Sequence, residues 1–357
     1  MKGLRLHLPP FAPDDAGAAS VLYPLGGLVV IIDAGGCAGN LCGFDEPRFY
    51  KKNSPSIVVS AALRDMDAIL GRDAQLIDKL CATAETFAAS SHALPFAAFI
   101  GTPVPAIVGT DLSALARLAE RRLQIPVLSI ETDGTRPYDQ GIAETYQALF
   151  SHLARIPSHV QPHPGTIGVL GVTPLDVGDA AALLRTKLRA QGAPHPRLYG
   201  LDDNLQDYID ASTNECNLVI APSGLPAARW LQRTFGTPYR IVFPLAQHQF
   251  AAFQPRLPRT AKNILILHQQ IAARALCPLL LKKYPSARIT CATYFQQIGA
   301  LAQPQDQKLR EEDDLPRLVV AEQYDLILAD PLYRRALPNY AGTYLPFPHP
   351  AVSGFPN

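Results

Sequence analysis

Little in this sequence draws it toward a charged partner. Its 32 basic and 31 acidic side chains leave a formal net charge of +1. No basic excess exists to neutralise a phosphate backbone or an anionic membrane, so nucleic acid is not an expected partner. Long apolar runs are missing as well: stretches such as 28–32 and 264–267 are strand-sized, far short of the roughly 20 residues of a membrane span. The opening residues, 1–15, hold no apolar segment of the kind a secretory signal needs. Nor is there a G-x-x-x-x-G-K-[ST] phosphate loop, a G-x-S-x-G elbow, an H-E-x-x-H zinc motif or a G-x-G-x-x-G dinucleotide fingerprint. The expectation is a cytoplasmic chain, without nucleic acid or membrane, that neither hydrolyses ATP by a P-loop nor draws electrons from a nicotinamide or flavin. In a reducing compartment its six cysteines are ligands, catalysts or core filler rather than disulfides.

What is present is a buried, globular composition, 48% hydrophobic and 18% charged over 357 residues, long enough for two or three domains. Short β-branched runs alternate with helical spacing. Residues 27–33, 96–101 and 126–131 read as buried strands, with helices over 61–70, 111–122 and 139–153. The Pro- and His-rich segment 159–166 reads as a linker. Strands at 167–172, 197–200, 217–221 and 239–243 follow, with helices at 179–191, 205–211 and 225–235. A last set has strands at 263–268, 287–294 and 324–331, a helix at 270–283 and an irregular Pro-rich tail. The fold class is therefore α/β, with three successive Rossmann-like units of mostly parallel sheet flanked by helices. The expected domains are 1–160, binding a cluster, 161–245 and 246–357.

The strand at 27–33 runs straight into Ala34-Gly35-Gly36-Cys37-Ala38-Gly39-Asn40-Leu41-Cys42-Gly43. The first thiol thus sits just past the carboxyl end of a buried strand, where such sheets hold ligands. Glycines such as Gly36, Gly39 and Gly43 let backbone N–H groups approach a large, electron-rich group, as in iron–sulfur nests. Two other readings remain open on the residues alone. One is a strand-to-helix turn with two small core thiols. The other is zinc, whose closed structural sites take four N or S ligands, although no His or Cys pair at finger-like spacing accompanies these two.

The Gly-Gly-Cys run followed by Glu46-Pro47-Arg48 resembles the cluster-binding turn of nitrogenase component 1 type oxidoreductase subunits. Further similarity follows in order at Leu63-Arg64-Asp65-Met66-Asp67-Ala68-Ile69-Leu70-Gly71, at Ile100-Gly101-Thr102-Pro103 leading to Thr110-Asp111, at Asn217 to Ile220 and at Phe235 to Tyr239. The resemblance implies an iron–sulfur cluster at the meeting of two subunits and electrons supplied by a separate ATP-dependent iron protein. In the family three cysteines from each subunit hold the bridging cluster. The first falls here near Pro13-Asp14-Asp15, the second on Cys37 and the third on Pro103, which cannot ligate. Cys42 adds a second thiolate. Two ligands per chain and about four per four-iron cluster lead to a [4Fe-4S] cluster held by Cys37 and Cys42 of both chains of a homodimer.

Other candidates read as structural. Arg64, Asp65 and Asp67 suit a solvated helix face, Thr110-Asp111 an N-cap, and Glu311 to Asp314 a solvated helix start. Cys277 and Cys291 read as core, and His349, in a Pro-rich turn, as a structural histidine placed where protons could be delivered. The functional reading is an iron–sulfur electron-transfer protein of a nitrogenase-like reductase system acting on a small molecule. A cluster-assembly scaffold or maturase is the first alternative, and a non-enzymatic binder of a metal or tetrapyrrole the second.

Overall fold

The computed structural model describes residues 5–42, 46, 48, 55–63, 73–89, 94–155 and 161–354. Arg64, Asp65, Asp67, Gly71 and Gly43 lie outside the described residues. Three sheets, parallel in every strand pairing, occur in chain order. The first has β1 (Leu28–Ile32), β2 (Ile57–Ser60), β3 (Ala97–Gly101) and β4 (Val127–Ile130), in the order β2-β1-β3-β4. The second has β5 (His163–Leu170), β6 (His195–Leu198), β7 (Asn214–Val219) and β8 (Tyr239–Ile241), in the order β6-β5-β7-β8. The third has β9 (Asn263–Leu267), β10 (Arg288–Thr293), β11 (Gln307–Lys308), β12 (Leu326–Ala329) and β13 (Thr343–Pro346), in the order β11-β10-β9-β12-β13. In each sheet the chain starts on an inner strand, builds one side, then crosses to the other. That leaves a switch point between β1 and β3, β5 and β7, and β9 and β12.

The α/β class is as the sequence predicts, with departures at particular elements. The supposed linker is partly strand, since β5 begins at His163. The tail is not irregular: β13 pairs in parallel with β12 and ends on Pro346, at a sheet edge where a missing N–H is tolerated. Glu312 is not part of a solvated run; it is buried and accepts the backbone N–H groups of Leu6 and His7 at 2.6 and 2.7 Å. Among the described residues no helix is long and apolar enough to cross a membrane.

The main helices of the first unit are α1 (Asp14–Leu22), α2 (Gly36–Asn40), α3 (Asp73–Ala89), α4 (Pro103–Val108), α5 (Leu112–Leu123) and α6 (Tyr138–Leu153). The second unit contributes α7 (Ala181–Ala190) and α8 (Leu225–Phe235), and the third α9 (Gln270–Lys283) and α10 (Asp314–Glu322). Asp111 caps α5 as expected, its carboxylate accepting from Ala114 N–H at 2.7 Å. All nine residues of α1 are buried, and the helix lies backbone to backbone against α6. A β-carbon on Gly17 would stand 1.9 Å from the Tyr138 carbonyl oxygen, and one on Gly141 1.8 Å from that of Asp14. Only glycine permits this approach.

The switch points of the second and third sheets meet beside the start of α6. His268 follows β9 and Asp330 follows β12, while Gln269 donates to the Ile220 carbonyl beyond β7 at 2.9 Å. His268 stacks on His349 at 4.3 Å and on Phe347 at 4.0 Å. The Tyr138 hydroxyl donates to Asp176 at 2.8 Å and meets His349 Nε2 at 3.0 Å. These groups are buried, and burial disfavours their charged forms. It pushes Asp176 up to about 7, against the pull of Tyr138 and Thr173. It also pushes His268 down to about 4, and His349 well below its ordinary value. His349 thus sits in a packed junction, neutral at ordinary pH.

Two outcomes follow. Gly17→Ala forces α1 off α6 and is expected to cost about 3 kcal/mol, seen as a lower urea midpoint. For His268, the folded chain binds its proton only near pH 4, whereas the unfolded chain binds it near 6.5. Between those values the unfolded state holds more protons, so stability falls as pH falls. Asp176, with a raised folded value, works in the opposite direction between about 4 and 7. His268→Phe keeps a stacked ring and removes only the first effect. The stability difference between variant and wild type should therefore shift in the variant's favour by about 3 kcal/mol from pH 6.5 to 4; parallel pH profiles would contradict this.

Candidate metal centre

Sheet one places its switch point beside Cys37. β1 is buried along its whole length because both faces of a parallel sheet are covered, and Asp33 ends it, fully buried. Its carboxylate accepts from the Ser60 hydroxyl at the end of β2 and, at 2.9 Å, from Ala38 N–H within α2. The Asp33 carbonyl accepts from Leu63 N–H at 2.7 Å. Gly35 makes the turn between them at φ +111°, which a side chain would strain. From across the switch point, Thr102 after β3 donates its hydroxyl to the Ile32 carbonyl at 2.7 Å.

Cys37 is half-buried on α2. Burial raises its pKa, the Thr102 hydroxyl beside it offsets part of the rise, and the Asp15 and Asp33 carboxylates add to it. Cys42, also half-buried, is raised by burial. Five residues of α-helix would set these thiols roughly 140° apart around the axis. The chain widens to a π-type turn at Leu41 and Cys42, where Glu46 N–H donates to the Leu41 carbonyl at 3.1 Å. Such a widening is a local distortion frequent at functional sites.

A cluster's fit can be judged from the glycines. Among the described residues, a β-carbon built on Gly35, Gly36 or Gly39 meets nothing within 4 Å. Gly36 and Gly39 thus present faces flanking soft thiol donors that no described residue fills, as a bulky cluster requires. Gly43 lies outside the described residues. Among the described residues no group of three or more His, Cys, Asp or Glu side chains is placed to hold a metal ion within one chain.

Glu46 and Arg48 turn out to be an anchor, which the sequence did not reveal. Arg48 donates to Glu46 at 2.7 and 2.8 Å, to the Ser20 carbonyl on α1 at 2.5 Å, and to Gly200 and Leu201 of the second unit at 3.2 Å each. Glu46 also accepts from the Ser20 hydroxyl at 2.7 Å. Two buried charges are tolerable here because each is paired and hydrogen-bonded. Glu46 and Arg48 are thereby fixed to α1.

The structure also brings together the three places at which the family carries cysteines. Asp15 is close enough to Cys37 to raise its pKa, and a β-carbon on Gly134 would fall 2.7 Å from Pro103 and 3.8 Å from the Asp15 carboxylate. Asp14 is otherwise engaged. It accepts from Asp133 N–H, Gly134 N–H and Arg136 Nε at 3.1, 2.8 and 2.9 Å, and so holds the 133–136 turn. Cys81 packs in the smaller core cluster beside α3, and Cys277 and Cys291 are buried in the third unit.

Residues 15–271 match the family described as Nitrogenase component 1 type Oxidoreductase. Among solved structures, the nitrogenase Cp1 at pH 6.5 superposes with a TM-score of 0.72 at 12% identity, covering 99% of this chain and 88% of its own. The same protein at pH 5 gives 0.70 at 13% identity, covering 100% and 86%. No curated protein matches the sequence. With the family match running through the cysteine turn and the second unit, the chain belongs to the nitrogenase component 1 type oxidoreductase family.

Proposed function

We propose that this chain is an iron–sulfur electron-transfer subunit of a nitrogenase-like reductase, acting in the cytoplasm as a homodimer that receives electrons from an ATP-dependent iron protein. The observation that carries the reading is Cys37 at the first sheet's switch point, with Cys42, also half-buried, just beyond α2 and Gly36 and Gly39 open among the described residues. Two thiols per chain make four donors across a two-fold axis, the number a [4Fe-4S] cluster takes. When bound, such a cluster supplies one-electron transfer at low potential.

The chain's own residues account for the rest. Cys37 and Cys42 hold the group as thiolates, since a coordinated thiol gives up its proton. Asp33 fixes the turn that presents Cys37, and the Glu46–Arg48 pair is anchored on α1. Next to the thiols, α4 leaves Val104, Ile107 and Val108 exposed at 40, 83 and 47%. An apolar face beside half-buried cysteines suits a second copy closing over them. The division into domains 1–160, 161–245 and 246–357 belongs to the same proposal, with the cluster carried by the first.

Cys37→Ala is expected to remove most iron from anaerobically prepared protein, while Cys81→Ala leaves the iron content nearly unchanged. Colorimetric iron and sulfide analysis reads both. Mixing wild type with a candidate iron protein, ATP and dithionite should give reduction, followed by EPR, that needs both ATP and the partner. Unaltered iron in the Cys37 variant would sink the site. Transfer of the cluster to an acceptor protein without turnover would identify a scaffold instead.

A further inference from the structure

A second pair of thiols meets deep in the third unit, independently of the cysteine turn. Cys277 sits in the middle of α9 and Cys291 in β10, the strand paired with β9. Fourteen residues separate them, and their sulfurs lie 3.5 Å apart. Arg274, one turn before Cys277 on the same helix, brings a guanidinium nitrogen to 3.9 Å from Cys291 Sγ. Asp306 holds that guanidinium at 3.5 Å and also accepts from Cys291 N–H at 3.0 Å. Two apolar residues would fill this space without an arginine beside them. A cation over paired thiols is the setting that stabilises a thiolate.

We propose that Cys277 and Cys291 form a redox-active dithiol, converted to an intramolecular disulfide by a peroxide and returned to thiols by a thiol reductant. The two sulfurs share a hydrogen bond, and the Arg274 guanidinium beside them favours loss of one proton from the pair. Access comes from the Arg274 side, where the side chain is 26% exposed. The helix is also weakened there, because Pro278 lacks the N–H that would bind the Arg274 carbonyl.

The chemistry balances with one peroxide. One thiol of the pair loses its proton and its sulfur attacks one peroxide oxygen. The O–O bond breaks, and hydroxide leaves and takes up that proton as water, giving a sulfenic acid. The other sulfur then attacks the oxidised one and the S–O bond breaks. The departing hydroxide takes the second thiol's proton as a second water. Both sulfurs are oxidised by one electron each and the two peroxide oxygens are reduced. A dithiol reverses the step by exchange, leaving as its own disulfide.

The bridge would tie together two elements whose ends reach the other units. Gln269 at the start of α9 holds the Ile220 carbonyl, and Gln296 beyond β10 donates its N–H to the Asp139 carboxylate at 2.5 Å.

The test uses the full-length protein, prepared anaerobically and exposed to one equivalent of hydrogen peroxide. Free thiols are then alkylated under denaturing conditions, and an unreduced digest is read by mass spectrometry. The expected result is a linked Cys277–Cys291 peptide pair, two hydrogens lighter than the separate peptides and restored to thiols by dithiothreitol. The Cys37→Ala variant should form the same bridge, so the result stands apart from the cluster assignment. Arg274→Gln should slow the conversion roughly tenfold near neutral pH, as a one-unit rise in thiol pKa does. Recovery of both residues fully alkylated, while Cys81 or Cys216 is oxidised, would overturn the proposal. So would a bridge between any other pair.

Discussion

Two glycines let one helix lie backbone to backbone on another, and much of the candidate metal centre hangs from that contact. Gly17 and Gly141 bring α1 against α6 at a distance that any side chain would forbid. From this position Asp14 holds the 133–136 turn, Asp15 stands beside Cys37, Ser20 receives the Glu46–Arg48 pair, and the Leu22 carbonyl accepts from Ser56 at 2.8 Å. Nine buried residues thus connect four segments distant in sequence.

The site follows from a general property of parallel sheets: the chain leaves neighbouring strands in opposite directions at a switch point, opening a crevice beyond their carboxyl ends. Cys37 occupies that crevice in the first sheet. In the second and third sheets the corresponding ends meet one another, and a packed junction of His268, His349, Tyr138 and Asp176 fills the space. Burial holds these groups near neutrality there, so the junction is cohesive without stored charge.

The readable parts of the sequence were those with local cause. β1 announced itself as an unbroken apolar run, and glycines around a thiol at its end marked the site. Asp111 stood where a cap belongs. The unread parts had causes elsewhere in the chain. Helix α1 is buried on every side and so has no amphipathic period to detect. The start of β5 is exposed and carries Pro and His, which read as a loop. Glu312 looks solvated until the N-terminal backbone closes on it, and Arg48 finds Gly200 and Leu201 across 152 and 153 residues. Cys277 and Cys291 meet only because α9 packs back on its own sheet, a contact that spacing does not show.

The central claim is a cluster shared between two copies of this chain, and native mass spectrometry of the anaerobically isolated protein tests it most directly. The account predicts a dimer whose mass exceeds two chains by one four-iron, four-sulfide unit, with Cys37→Ala protein lacking that increment. A monomer carrying a complete four-iron cluster, or a dimer free of iron and sulfide under the same conditions, would contradict it.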